Sequence, residues 1–180
     1  MSEQHIEPVN DSFSEVQYIP KTEFDSVQFS LPPSKSHMIR LLALASVNQG
    51  TTKIRFDGII GQDIDSMIKS LRSLGVNISS SKDENSKFVT VSGVGSGGFR
   101  LHDTSINCGN SGTSLRIIMG LIASMNQSVM VIGDSSLSSR NNDSMIKSLF
   151  DSNVSVERIG ENNLPIVSCQ ICQIPLEIVL

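Results

Sequence analysis

Apolar and polar positions along this chain fall into short alternating stretches separated by helical ones. Residues 27–31 read as a strand that runs into Pro32 and Pro33. An apolar run follows, Met38-Ile-Arg-Leu-Leu-Ala-Leu-Ala45, long enough for a helix. Residues 52–56 read as a strand. Ile64, Met67, Ile68, Leu71 and Leu74 then recur at helical spacing and predict an amphipathic helix over 63–74. Strands are predicted at 76–79 and 88–92, with a charged hairpin loop at 80–86 between them. A Gly-rich turn (Gly93, Gly95, Gly97, Gly98) follows, and another strand at 99–101.

The pattern then repeats. Asp65-Ser-Met-Ile-Lys-Ser-Leu71 recurs identically as Asp143-Ser-Met-Ile-Lys-Ser-Leu149, an offset of 78 (143 − 65). At that offset Ala45-Ser-Val-Asn-Gln49 meets Ala123-Ser-Met-Asn-Gln127, and Ser34-Lys-Ser36 meets Gly112-Thr-Ser114. Three ungapped matches at one offset define a unit of strand, helix, strand, helix, strand, strand. Unit one covers about 31–93, unit two about 99–171, and residues 172–180 begin a third. Residues 1–20 are polar and read as an extension. The first helix of each unit is apolar almost all round, which predicts burial on most sides. The expected fold is α/β, with sheets packed around central helices whose starts converge at one end.

Composition narrows the function. Hydrophobic content of 38% and charged content of 18% suit a folded core, and the net charge of −4 argues against a nucleic-acid partner. No apolar run has membrane-spanning length, and the first residues lack a signal-peptide layout, so the expected compartment is the cytosol. Cys169 and Cys172 form a C-x-x-C, but no second Cys or His pair completes a zinc site. The strand period puts their thiols on opposite faces. No metal or other cofactor is expected.

Chemistry concentrates in the turns that open the apolar helices. Ser34 is a candidate N-cap, with Lys35 and Ser36 in the first turn and Arg40 on the face of Ser36. A helix start presents free N–H groups and partial positive charge, so these residues form an anion site for phosphate or carboxylate. An arginine inside an apolar helix also asks for a partner. In Gly109-Asn-Ser-Gly-Thr-Ser-Leu-Arg116, the two glycines allow close backbone approach and Asn110, Thr113 and Ser114 offer donors. Arg116 either reaches a ligand or braces the turn. Arg140 lies in the loop before the second Asp-Ser-Met-Ile-Lys-Ser-Leu helix, where a guanidinium can fork onto a carboxylate. Asp63, placed similarly in unit one, reads as an N-cap. His37 reads as a packed or edge histidine.

Leu31-Pro-Pro-Ser-Lys-Ser…Arg40, Gly109-Asn-Ser-Gly-Thr-Ser-Leu-Arg116 and Gly133-Asp…Arg140 resemble, in order and spacing, the three N-terminal signatures of the EPSP synthase (3-phosphoshikimate 1-carboxyvinyltransferase) family. The resemblance implies transfer of the enolpyruvyl group of phosphoenolpyruvate to the 5-hydroxyl of shikimate 3-phosphate, without a metal. It implies an inverted α/β-barrel domain of three βαβαββ units, in a monomeric enzyme with two such domains and the substrates in the cleft between them. Lys35 would contact both substrates, Ser36 and Arg40 would hold shikimate 3-phosphate, and Gly112 and Arg140 would bind phosphoenolpyruvate. Asn110, Thr113 and Arg116 would support that pocket. Pro33, Ser111 and Asn141-Asn142 depart from the usual pattern.

Family chains are more than twice as long, so 21–180 reads as an incomplete domain cut within its third unit. The later residues of the family that carry proton transfer have no counterpart here, and no catalytic residue is assigned. The chain alone is expected to show no turnover, and its missing C-terminal portion is an expected partner. Two other readings remain: a non-catalytic fragment or half of a split enzyme, and a UDP-N-acetylglucosamine enolpyruvyl transferase. The last is disfavoured, because residues 134–139 lack the reactive Cys of that group and Ser36 stands where it has Asn.

Overall fold

The computed structural model describes residues 31–84, 86–125, 127–158 and 165–168. Helix α1 (Lys35–Val47) leads into β1 (Gln49–Phe56), α2 (Gln62–Ser73), β2 (Asn77–Lys82) and β3 (Lys87–Val94). After a 3₁₀ turn come β4 (Ser105–Asn107), α3 (Gly112–Ile122), β5 (Ser128–Ile132), the one-turn α4 (Ser135–Ser138), α5 (Asp143–Asp151), β6 (Ser155–Arg158) and β7 (Pro165–Ser168). Strands β1, β3 and β2 form one antiparallel sheet in that order. The second sheet runs β4-β5-β7-β6, with β4 and β5 parallel and the other pairs antiparallel. The order β1-β3-β2 is repeated as β5-β7-β6, so the two halves share one topology. Helix α3 makes the crossover between the parallel strands β4 and β5.

Each sheet buries one face. Ile54, Ile78, Val89 and Val91 point inward, while Lys53 and Arg55 point to solvent. Val129 and Val131 do the same in β5. Between the sheets, α1, α2 and α3 pack on one another, with β3 against α1 and β4 against α2. Ile39, Leu42, Met67, Leu71, Leu115, Ile118 and Met119 fill the centre.

The repeat extends to helix endings. Gly75 after α2 and Asn153 after α5, again 78 positions apart, both have positive φ (85° and 61°). In each, the next N–H bonds back to a carbonyl in the last turn: Val76 to Leu71 and Val154 to Leu149. Glycine and asparagine are the residues that enter this left-handed conformation most readily.

Three expectations change. Residues 99–101 are not a strand; the second unit's opening strand is Ser105–Asn107. The N–H groups of Arg100 and His102 instead donate to the carbonyls of Leu74 and Ser73 at the end of α2. Those carbonyls have no partner within the helix, and meeting them outcompetes a sheet edge. The predicted hairpin loop shrinks to 83–86, because β2 and β3 pair as far as Lys82 and Lys87. Helix α1 is not buried on most sides: Leu41, Leu44 and Val47 are 47%, 66% and 44% exposed. The strand at 27–31, the extension at 1–20, Cys169, Cys172 and the third-unit residues lie outside the described residues.

Cys108 is buried beside the Ser70 hydroxyl (3.8 Å). Burial pushes its thiol from 9.0 up to about 11, against a smaller lowering by Ser70. The thiolate fraction at pH 8 then falls about 100-fold. In a Cys169→Ser/Cys172→Ser chain, a disulfide reagent at pH 8 should therefore modify Cys108 only after denaturant is added. Native-state labelling at the rate of a free thiol would contradict this burial.

Candidate anion site at the helix starts

The N-termini of α1, α2 and α3 meet. Lys35 opens α1, and its ammonium lies 2.8 Å from the Asp63 carboxylate in the first turn of α2. The Asp63 carbonyl lies 3.4 Å from the Ser114 hydroxyl in the first turn of α3. Asp63 is therefore not an N-cap; Gly61 takes that place, and the side chain is aimed at Lys35 instead. Sequence reading missed this partner. The available signal was an acid in the first turn of the amphipathic helix of the same unit.

On α1, Ser34 is the N-cap residue but makes no side-chain capping bond. Ser36 is exposed, and the Arg40 guanidinium donates to the Ser36 carbonyl over 2.9 Å, so the two share a face as expected. Arg40 itself is exposed, which removes the premise of a buried guanidinium seeking a partner. His37 is exposed rather than packed.

The α3 turn is more tightly built. Gly109, at φ 57°, donates to the Asn107 side chain (2.8 Å). Ser111 caps the helix, accepting from the Ser114 N–H at 3.3 Å and lying 2.8 Å from the Ser114 hydroxyl. Gly112 is buried. A Cβ placed on it would stand 2.9 Å from Nη1 of Arg140 and 3.8 Å from Nη1 of Arg116. The Arg140 guanidinium also donates to the Asn110 side-chain carbonyl. Gly112, Arg140, Arg116 and Asn110 are thus brought together, with Thr113 half-buried beside them. The departing residues Asn141 and Asn142 hold this loop. Buried Asn142 donates to the Arg140 carbonyl (3.1 Å), and Asn141 accepts from the Asp143 N–H (2.7 Å).

A polar cavity of about 260 Å³ adjoins Arg140, lined by Ser139, Asn141, Asn142, Asp143 and Arg158. There the hydrogen bond from the Arg158 guanidinium holds the exposed Asp143 carboxyl below its ordinary value. A larger cavity of about 710 Å³ lies at the β2–β3 hairpin, lined by Asp57, Asp83 and Glu84 together with Lys82 and Lys87.

Lys35, Arg40, Arg116 and Arg140 gather around three helix starts, with the carboxylate of Asp63 among them. Asp65 in the first turn of α2 and Asp143 beside Arg140 share these helix starts. Cations grouped at helix starts attract and orient anions. Among the described residues no group of three His, Cys, Asp or Glu side chains is placed to hold a metal ion. No described helix is long and apolar enough to cross a membrane.

The fold and this end together define a repeated α/β protein with cationic side chains grouped at its helix starts. The family model for EPSP synthase (3-phosphoshikimate 1-carboxyvinyltransferase) matches residues 26–178, and the chain belongs to that family. A curated 3-phosphoshikimate 1-carboxyvinyltransferase of Streptococcus uberis is 35% identical over 137 residues, covering 76% of this chain and 31% of the relative. One from Streptococcus pyogenes serotype M2 is 34% identical over 141 residues, covering 78% and 31%. Two solved structures of EPSP synthase from Acinetobacter baumannii superpose with a TM-score of 0.67 at 26% identity, covering 78% and 79% of this chain. The chain spans about a third of the length of the curated relatives it matches.

Proposed function

We propose that this chain supplies the anion-gripping part of an enzyme that transfers the enolpyruvyl group of phosphoenolpyruvate to the 5-hydroxyl of shikimate 3-phosphate. Lys35, Ser36 and Arg40 hold shikimate 3-phosphate. Gly112 and Arg140, with Lys35, hold phosphoenolpyruvate, and Asn110, Thr113 and Arg116 shape that side. The observation that carries the reading is the approach of Arg140 and Arg116 to Gly112, in a turn tied through Asp63 to Lys35. Two anionic substrates need two anion grips side by side, and the paired turns offer them.

The reaction also requires protonation of the methylene carbon and removal of the hydroxyl proton. The carboxylate at the junction of the turns, Asp63, is engaged with Lys35. We therefore assign no acid–base residue here. In this reading, residues 31–93 and 99–171 are two units of a cytosolic enzyme domain, 172–180 begins a third, and the partner is the remaining portion of a longer enzyme. Product formed by the purified chain alone would overturn that part.

The direct test is titration of the chain with shikimate 3-phosphate, followed by amide NMR. Saturable shifts should map to residues 34–40. Lys35→Met should weaken binding about 10-fold or more, the scale of one hydrogen bond to a charged group. Equal binding by the two proteins would sink the assignment.

A further inference from the structure

We propose that Asp63 is a positioning residue: its carboxylate holds the Lys35 ammonium at the junction of the α1, α2 and α3 starts, ready for an anion. The inference rests on the functional reading above and deepens it. Three observations support it. The ion pair is short, 2.8 Å, and joins two different helices. The Asp63 side chain is 25% exposed, and its main-chain carbonyl accepts from the Ser114 hydroxyl, so the backbone that carries it is tied to α3. Asp63 also sits in the first turn of α2, where the helix dipole favours a carboxylate.

The Lys35 side chain, by contrast, is 58% exposed. Exposed pairs of this kind contribute little to stability, so the pair is not explained as a structural brace. Its effect on ligand binding is larger. A lysine side chain is a flexible four-carbon stem, and confining it on binding costs rotamer freedom. Asp63 imposes that confinement beforehand. It occupies one of the three ammonium donors and leaves two for a phosphate or carboxylate oxygen. It also offsets one positive charge, which disfavours indiscriminate capture of small anions.

The test uses Asp63→Asn in the full chain. This change removes the charge but keeps the main-chain carbonyl that faces Ser114. NMR relaxation at the Lys35 Cε should show an ordered side chain in the ligand-free wild type, more so than Lys82 on β2. In Asp63→Asn it should become as mobile as Lys82. Shikimate 3-phosphate should bind about 10-fold more weakly, while inorganic phosphate binds as well or better. In a Lys35→Met background the Asp63→Asn change should have no further effect. A Lys35 side chain as mobile as Lys82 in the wild type would overturn the proposal without any variant. So would additive losses in the double variant. If Asp63→Asn loosens Lys35 but the wild type ignores shikimate 3-phosphate, the functional reading fails and the positioning role stands.

Discussion

Met67→Ala should destabilise the chain by about 3 kcal/mol, whereas Met145→Ala should cost about 1 kcal/mol or less. The two methionines occupy the same place in identical heptads. Their surroundings differ. Met67 is fully buried, because α2 is covered by α3 and β4 of the second unit. Met145 on α5 is only half-buried. The flanking residues follow the same rule. The Ser70 hydroxyl reaches the Asn107 carbonyl on β4 at 3.2 Å, whereas the Ser148 hydroxyl bonds back within its own helix to Ser144. Deleting a side chain leaves a cavity only where neighbours surround it, and the cost scales with that cavity. Urea denaturation of both variants would measure the difference. Equal losses would mean that α5 is as enclosed as α2.

Replacing Gly112 by alanine should leave stability within about 1 kcal/mol and weaken phosphoenolpyruvate binding by roughly 10- to 100-fold, the range for losing a hydrogen bond to a charged group. The added methyl group would lie 2.9 Å from Nη1 of Arg140, a separation that side-chain carbons do not tolerate. Arg140 is exposed at the end of a flexible chain, so it moves aside and the fold survives. Its guanidinium then leaves the place it shares with Asn110, and the turn loses the cation next to its backbone donors. Calorimetric titration paired with thermal melting separates the two effects. Unchanged affinity would remove Gly112 and Arg140 from the binding site together. A large loss of stability would instead make Gly112 a packing residue.

Much of the fold was legible because its signals are local. The spacing of Ile64, Met67, Ile68 and Leu71 set α2 to within a residue at each end. The Gly-Asn-Ser-Gly-Thr-Ser run marked the start of α3, although the structure was needed to show that Ser111 is its cap. Two juxtapositions were also legible: Arg40 shares a face with Ser36, as their four-residue spacing implied, and Gly112 and Arg140 meet. What escaped depended on partners distant in sequence. Residues 99–101 have strand-like composition, yet Arg100 and His102 serve the end of α2. Arg40 looked buried because its helix is apolar, but the burial of α1 depends on what covers Leu41, Leu44 and Val47.

The sequence by itself determined the unit, its repetition at 78 residues, and which residue types stand at each helix start. These follow from backbone geometry and side-chain period, which act over a few residues. Only the tertiary structure decided that Asp63 faces Lys35 rather than capping α2, that Arg116 and Arg140 converge on Gly112, and that one copy of an identical heptad is enclosed while the other stays half open. Burial and ion pairing depend on which surfaces meet, and a heptad carries no record of its neighbours.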